Sequence, residues 1–260
     1  MGRLDLGGNR SNRGCFVGLA VVVAIAHVVG CAPGDQTSPP DALSHQLALP
    51  TSDSSSTLPT AASTTSALTD TTPSIRPLTP NEEAAAAGQL IEAEDCPVGF
   101  ADLRIVEVPY RGYDGSDRRG TLIVNADVAE EIADLFAVLF TEEFPIQRMD
   151  AIDPLPVDDT SRLSSNNTVG FKCRAVRGGS AWSQHAYGHA VDINPVDNPS
   201  VSSGVATPPL GAERIDRSAA APGMIHEGDL VTRAFDQLGW GWGGRWSSHQ
   251  DYMHFSVNGN

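Results

Sequence analysis

The sequence predicts an α+β fold, a small antiparallel sheet with flanking helices, in the C-terminal two-thirds of the chain. Two apolar runs at 103–108 and 121–124 flank the turn-forming residues 113–116, which predicts a β-hairpin. Residues 126–141 place their apolar side chains on one helical stripe, and Asn125 precedes them as a candidate N-cap. Strands and helices are mixed without the regular alternation of a parallel sheet, which favours the α+β class.

Shorter elements follow towards the C-terminus. We expect a strand at 171–176, a helix at 227–238 that ends at Gly239, and a closing strand at 254–257. Two segments between them are predicted to be loops. These are the polar residues 153–168 and the Pro/Ser/Ala-rich residues 195–222, and the second is long enough that we expect it to border a functional cleft.

The N-terminus has the pattern of an export signal. A basic start is followed by an apolar run at 15–29, which is shorter than the roughly 20 residues that span a membrane. The run ends in Val-Val-Gly before Cys31, which resembles the bacterial lipobox. We therefore predict a lipoprotein signal peptide at 1–30 and acylation of Cys31, which would anchor the protein on the outer face of the bacterial cytoplasmic membrane. An uncleaved anchor helix is the alternative, and it also makes the remainder extracytoplasmic.

The next part of the chain is predicted to be a disordered tether. Residues 31–90 are rich in Ser, Thr, Pro and Ala, and such a composition buries too little apolar surface to offset its ordering entropy. Within it, Glu82 and Glu83 before a run of Ala favour a short helix at 81–90. The folded domain is expected to span 91–260, a length that suits one core.

The charge balance argues against nucleic-acid binding, and the distribution of Trp and His shows where to look for the functional site. The 17 Lys and Arg face 32 Asp and Glu, for a net charge of −15, whereas a nucleic-acid-binding protein needs a basic face. All four Trp and five of the seven His lie in the last third of the 260 residues. Chemistry is therefore expected near the C-terminus.

Two cysteines remain once the signal is set aside. Cys15 lies in the signal and Cys31 would carry lipid, which leaves Cys96 and Cys173 in an oxidising compartment. We predict a disulfide between them. Two buried thiols are the alternative.

The C-terminal third is rich in His and Asp, residue types that bind zinc. A catalytic zinc uses three His or carboxylate ligands and keeps one position open, and a nearby carboxylate that is not a ligand can act as base. The candidates are His185, His189, Asp192, His249, Asp251 and His254. His185 and His189 have the spacing of the helical His-Glu-x-x-His motif, but Ala186 occupies the position of its Glu and Gly188 weakens a helix. That motif is therefore rejected.

Two motifs resemble those of the M15 zinc peptidases. The first is Ser-x-His-x-x-Gly-x-Ala-x-Asp at 183–192, and the second is Asp-x-x-His at 251–254, which follows a Trp-Gly-Gly-x-Trp turn at 242–246. Both motifs match in order and spacing. The family includes D-alanyl-D-alanine carboxypeptidases and dipeptidases, and L-alanyl-D-glutamate endopeptidases.

The resemblance implies a role for each matched residue. His185, Asp192 and His254 would hold one Zn²⁺ per domain, and Asp251 would be the general base. Arg174 corresponds to a basic residue that contacts the substrate or stabilises the developing oxyanion in relatives. It also implies a Hedgehog/DD-peptidase-like zinc peptidase fold.

Four further residues in or near the two motifs receive separate expectations. Ser183 lacks the surroundings of a nucleophile and is interpreted as a hydrogen-bonder to a ligand. Tyr187 either contacts substrate or packs, His189 is expected at the rim of the site, and His249 is expected to be exposed.

The function that follows is hydrolysis of peptidoglycan stem peptides by zinc-activated water. Either the D-Ala–D-Ala bond or the L-Ala–D-Glu bond fits, and an Asp base favours the second slightly. The expected partners are stem peptides and the membrane, and the protein is expected to be a monomer. The alternative is a non-catalytic, zinc-containing cell-wall-binding module, against which the presence of Asp251 argues.

Overall fold

A computed structural model describes residues 70–153 and 159–260, the side chains of 159 and 160 excepted. The helices are α1 (Pro80–Leu90), α2 (Ala129–Thr141), α3 (Asp159–Ser164) and α4 (Leu230–Leu238). The strands are β1 (Ser74–Arg76), β2 (Leu103–Arg111), β3 (Asp117–Asn125), β4 (Ala190–Asp192), β5 (Ser200–Ser202), β6 (Val205–Thr207), β7 (Gly241–Trp242), β8 (Gln250–Asp251) and β9 (His254–Ser256). Within the described ranges, no helix has the length and apolar character needed to cross a membrane.

The architecture is mixed α and β with antiparallel pairing, as the sequence predicts, but the described strands form three small sheets instead of one. Their strand orders are β1-β2-β3, β4-β9-β7 and β6-β5-β8. The predicted hairpin is confirmed, and its paired strands extend further towards the turn, to the pair Arg111 and Asp117. The second and third sheets are built from strands of two or three residues, which are too short to show an alternating pattern.

The largest hydrophobic core lies around α2 and the strands that carry the candidate site. α2 buries one face, which includes Ile132 and Phe136. Phe235 of α4 stacks on Phe255 of β9, with ring centroids 4.0 Å apart. This aromatic contact holds the short strand β9 against α4.

The folded part begins before residue 91, which corrects the predicted tether boundary. β1 pairs with β2, and α1 buries Ala86 and Leu90 in a second core cluster that also contains Cys173. The structure also joins Cys96 to Cys173 by a disulfide. The predicted signal peptide, Cys31 and the tether up to residue 69 lie outside the described residues.

Four local predictions need correction. Asn125 is the last residue of β3 and not a helix cap. Its side chain donates to the Tyr187 carbonyl at 3.0 Å, and α2 starts at Ala129 without a side-chain cap.

Residues 171–176 make isolated bridges and no regular strand, because each side of the segment pairs with a different part of the chain. The loop predicted at 153–168 contains α3, and the predicted 227–238 helix starts only at Leu230, with Asp229 as its N-cap and Gly239 as its end.

Glu82 offers a test that α1 belongs to the folded unit. Its carboxylate accepts hydrogen bonds from the Arg76 guanidinium at 2.7 Å and from the main-chain N–H of Thr79, the N-cap of α1. The hydrogen bonds from Arg76 outweigh the effect of burial and lower the pKa of Glu82 to about 2. Because this pKa lies below the unfolded value of roughly 4.3, ionised Glu82 stabilises the fold at neutral pH and the contribution is lost as pH falls towards 2. We expect Glu82→Gln to cost about 1–2 kcal/mol at pH 7, after discounting for partial exposure.

Urea unfolding of Glu82→Gln at pH 7 and pH 3 checks this expectation. The difference from wild type should shrink at the lower pH. Glu83→Gln is the matched control, since it removes the same charge from the same helical turn. Equal effects of the two substitutions would show that α1 does not depend on this capping interaction.

Candidate metal centre

Two candidate ligands face each other across a strand pair. β4 and β9 are antiparallel, and Asp192 lies directly opposite His254 in their register. Directly opposed residues project to the same side of a sheet, so the two side chains meet. Both are buried.

The third candidate, His185, comes from a short 3-10 turn at Gln184–Tyr187. The Ser183 hydroxyl accepts from the His185 main-chain N–H at 3.4 Å and begins the turn. Gly188 ends it in the left-handed region with φ of 72°, and a Cβ there would lie 2.5 Å from the Asn125 nitrogen. The glycine in the first motif is thus required both by its backbone conformation and by the close approach of β3.

The three side chains converge on one point. His185 Nε2 lies 3.2 Å from Asp192 Oδ1 and 3.1 Å from His254 Nδ1, and His254 Nδ1 lies 3.1 Å from Asp192 Oδ1. Within the described ranges, this is the group of His, Cys, Asp and Glu side chains arranged to hold a metal ion.

Main-chain carbonyls orient both imidazoles. His185 Nδ1 lies 2.6 Å from the Gly170 carbonyl, and His254 Nε2 lies 3.1 Å from the Asn260 carbonyl. A carbonyl can only accept, so each of these nitrogens is the one that carries hydrogen. The remaining nitrogens therefore present lone pairs towards Asp192, and the cluster of three acceptors calls for a cation.

Electrostatics point to the same requirement. Burial alone would raise the pKa of Asp192, but when the imidazoles are protonated, attraction to His185 and the hydrogen bonds that both rings then donate outweigh it and hold the pKa well below its ordinary value. Burial would lower the pKa of His254, and the hydrogen bond with Asp192 outweighs it and raises that pKa. The carboxylate is thus kept ionised in a buried position, where a positive charge stabilises it.

The donor set fits zinc. Two imidazole nitrogens and one carboxylate oxygen are ligands that zinc prefers, and a tetrahedral site with bonds of roughly 2.0–2.1 Å has ligand–ligand edges of roughly 3.3–3.4 Å. The three separations of 3.1–3.2 Å are close to this value. Three ligands leave one position of a tetrahedron open, as in catalytic sites.

Asp251 lies beside the cluster and does not join it. Its Oδ1 is buried and has no hydrogen-bond partner among the described residues. Burial and, next, the negative charge of Asp192 raise the pKa of Asp251 to about 6. A buried carboxylate oxygen left without a partner is costly in a folded protein, and together with the raised pKa it makes Asp251 a candidate base.

The Trp-Gly-Gly turn lets Asp251 approach. A Cβ at Gly243 would lie 2.6 Å from the Asp251 carbonyl oxygen and 3.3 Å from the His254 Cβ. The Trp242 indole donates to the Tyr252 carbonyl at 2.9 Å, which fixes the same turn from the other side. Gly243, in the turn that precedes the second motif, is therefore a packing requirement of the candidate base and of one candidate ligand.

Replacing Gly243 by Ala is accordingly expected to displace the 251–254 turn. We expect a stability loss of about 1–3 kcal/mol and, because a misplacement of about 1 Å can cost 100-fold in rate, a loss of activity on that order. Thermal unfolding and peptide hydrolysis measure the two effects. Gly88→Ala is the control, because a Cβ there has no neighbour within 4 Å, and it should leave activity unchanged.

Arg174 lies near the site but is not part of the cluster. Its guanidinium is close enough to Asp251 to lower that carboxyl's pKa slightly, against the two larger causes that raise it. Together with Glu92, Ala93, Ala175 and Arg177 it lines a cavity of about 460 Å³. Its position is compatible with contact to a bound peptide.

The remaining predicted residues take less direct positions. Ser183 acts on the main chain of His185, and no contact to an imidazole nitrogen is seen for it among the described residues. The Tyr187 ring stacks on His189, and His189 pairs with Asp127 at 2.9 Å. His249 is half-buried, not fully exposed, and contacts the Trp246 ring edge-on.

Sequence reasoning missed two contributors to the site and indicated a third only in general terms. Gly170 and Asn260 act through main-chain carbonyls, which leave no signature in residue type. The Trp246 ring packs against the His254 ring with centroids 5.4 Å apart and forms a wall of the centre. The density of Trp in this part of the sequence indicates such a wall, but not which ring forms it.

The fold and the site define a small mixed α/β protein in which a buried His–Asp–His cluster that could hold a metal ion lies beside a carboxylate oxygen without a hydrogen-bond partner among the described residues. Residues 177–257 match the M15 peptidase family model described as D-alanyl-D-alanine carboxypeptidase. The match contains all three cluster residues and Asp251, and the resemblance predicted from the two motifs is confirmed over this segment. Comparisons with curated proteins and with solved structures give no significant match.

Proposed function

We propose that this protein is a zinc metallopeptidase that hydrolyses peptide bonds in peptidoglycan stem peptides. The observation that carries the proposal is the convergence of His185, Asp192 and His254 beside the unpartnered oxygen of Asp251. The family match supports a peptidase of the M15 type. A Hedgehog/DD-peptidase-like arrangement of the fold is part of the same proposal.

His185, Asp192 and His254 would hold the zinc. When bound, zinc polarises the scissile carbonyl and makes water a better nucleophile at neutral pH. Asp251 takes the proton from the attacking water and returns it to the leaving amine, which is the work of a general base and then a general acid. Its raised pKa brings the proton affinity of the carboxylate closer to neutral pH, where such transfers are efficient.

Arg174 would stabilise the negative charge that develops on the carbonyl oxygen, or it would bind a carboxylate of the stem peptide. It lines a surface cavity and interacts electrostatically with Asp251. A cation positioned before the reaction stabilises charge that appears only in the transition state.

The proposed setting is extracytoplasmic. A signal peptide at 1–30, a lipid on Cys31 and a flexible tether would hold the monomeric enzyme at the outer face of the bacterial cytoplasmic membrane, within reach of the wall. The Cys96–Cys173 disulfide supports an oxidising compartment.

Hydrolysis of purified muropeptides by the zinc-loaded, full-length protein tests the proposal. Product masses distinguish loss of a terminal D-Ala from cleavage between L-Ala and D-Glu, because the two reactions release different fragments. Wild-type protein should give one of these product sets. If it binds zinc and leaves every stem peptide intact, the protein is a binding module and the peptidase proposal is wrong.

A further inference from the structure

Arg217 is held by the segment between the two motifs and contacts Tyr252, the residue that follows the candidate base. Its guanidinium donates to the carbonyls of Asp197 at 2.7 Å and Ile225 at 2.7 Å, to that of Arg214 at 3.1 Å, and to Asn198 Oδ1 at 2.8 Å. These four acceptors are neutral amide oxygens. Within the described part of the chain, no carboxylate forms an ion pair with this side chain.

The guanidinium of Arg217 lies over the ring of Tyr252. The Arg217 Cζ is 4.6 Å from the centre of the Tyr252 ring. Such a cation–π contact gains strength when the cation is removed from water, and the acceptors around the edge of the guanidinium leave its face free for the ring. Tyr252 directly follows Asp251, so the contact acts next to the proposed base.

The same segment also holds the main chain of this turn. β5 pairs with β8, which sets Ser200 opposite Asp251. The Tyr252 N–H donates to the Pro199 carbonyl at 3.4 Å. Residues 195–222, predicted as a loop that borders the cleft, therefore contact the 251–252 turn twice, through the main chain at β5 and through the Arg217 side chain.

We propose that Arg217 is a positioning residue for Asp251. By fixing the Tyr252 ring it fixes the backbone from which the Asp251 carboxylate projects. The proposal rests on the role of Asp251 as general base, which requires its carboxylate to stay within hydrogen-bond reach of the reacting water. Arg217 itself has no part in proton transfer or in holding a metal.

The test compares Arg217→Met with Arg214→Met in the full-length protein. Arg214 is the matched control, because it belongs to the same segment and binds the Asp197 carboxylate at 3.2 Å. For Arg217→Met we expect kcat on muropeptides to fall about 10–100-fold, the effect of misplacing a catalytic group, with KM and zinc content changed by less than about twofold. Arg214→Met should change all three by less than about twofold.

Variants of Tyr252 test whether Arg217 acts through this ring. Tyr252→Phe keeps the aromatic face and should retain kcat within about threefold, whereas Tyr252→Leu should resemble Arg217→Met. The double variant Arg217→Met/Tyr252→Leu should be no slower than the slower single variant. Independent, multiplying losses would show that the two residues act separately and would overturn the proposal.

Hydrogen exchange supplies a readout that does not depend on activity. Amides in the peptide 250–255 should exchange at least about tenfold faster in Arg217→Met than in wild type and in Arg214→Met, because the turn loses its clamp. Unchanged exchange would overturn the proposal. If wild type binds zinc without cleaving stem peptides, the proposed function fails, while the exchange measurement still decides whether Arg217 holds the turn.

Discussion

Asp251→Asn is expected to lower kcat on stem peptides by about 10²–10⁴-fold, the range that positioned acid–base catalysis contributes. The amide keeps the shape of the side chain but cannot accept a proton from water. Zinc binding should be retained, because Asp251 stands beside the cluster of His185, Asp192 and His254 and is not one of its members.

Parallel measurements of zinc content and muropeptide turnover check this expectation. Asp127→Asn is the control, since Asp127 is an exposed acid paired with His189 and should leave turnover unchanged. Full activity in Asp251→Asn would assign the base to another residue. Loss of zinc in that variant would make Asp251 a ligand.

His185→Ala is expected to remove zinc and reduce hydrolysis below detection. The substitution deletes one of three converging donors and leaves Asp192 buried with fewer partners for its charge. Loss of a residue that merely orients a ligand costs roughly 10–100-fold in metal affinity, so loss of a ligand should cost at least that much.

Zinc titration with a competing chelator measures the affinity of His185→Ala. His189→Ala is the matched control, because His189 is four residues along the chain but pairs with Asp127 at the surface. If His189→Ala loses zinc and His185→Ala retains it, the metal centre has been assigned to the wrong side chains.

The longer helices and strands could be predicted, because their apolar side chains repeat over at least one helical turn or four strand residues. The apolar stripe of α2 and the two apolar runs of β2 and β3 are long enough to show their period. β4, β5, β7 and β8 contain two or three residues, and only pairing with distant segments makes them strands. Such pairings cannot be read from local sequence.

Composition misplaced the start of the folded unit. The Ser/Thr/Pro/Ala-rich composition of 31–90 suggested a tether throughout, but β1 adds to β2 and the apolar residues Ala86 and Leu90 are fully buried. Asn125 is a second position where local sequence gave the wrong prediction. It has the residue type of a helix cap, yet its position at the end of β3 directs its amide to the Tyr187 carbonyl. In both cases tertiary contacts override local preference.

The site was predictable to the extent that it consists of side chains in two motifs. Resemblance pointed to His185, Asp192, His254 and Asp251, and the first three converge in the structure. What orients them could not be predicted, because Gly170 and Asn260 contribute only carbonyls. The contact of Arg217 with Tyr252 joins residues far apart in sequence and depends on the path of the 195–222 segment.

Stem-peptide hydrolysis measured against zinc added to the metal-free, full-length protein tests the central claim most directly. The account predicts no cleavage without metal, a linear rise to one zinc per chain, and a plateau beyond it. Cleavage by metal-free protein, or one tightly bound zinc per chain with every stem peptide left intact, would contradict it.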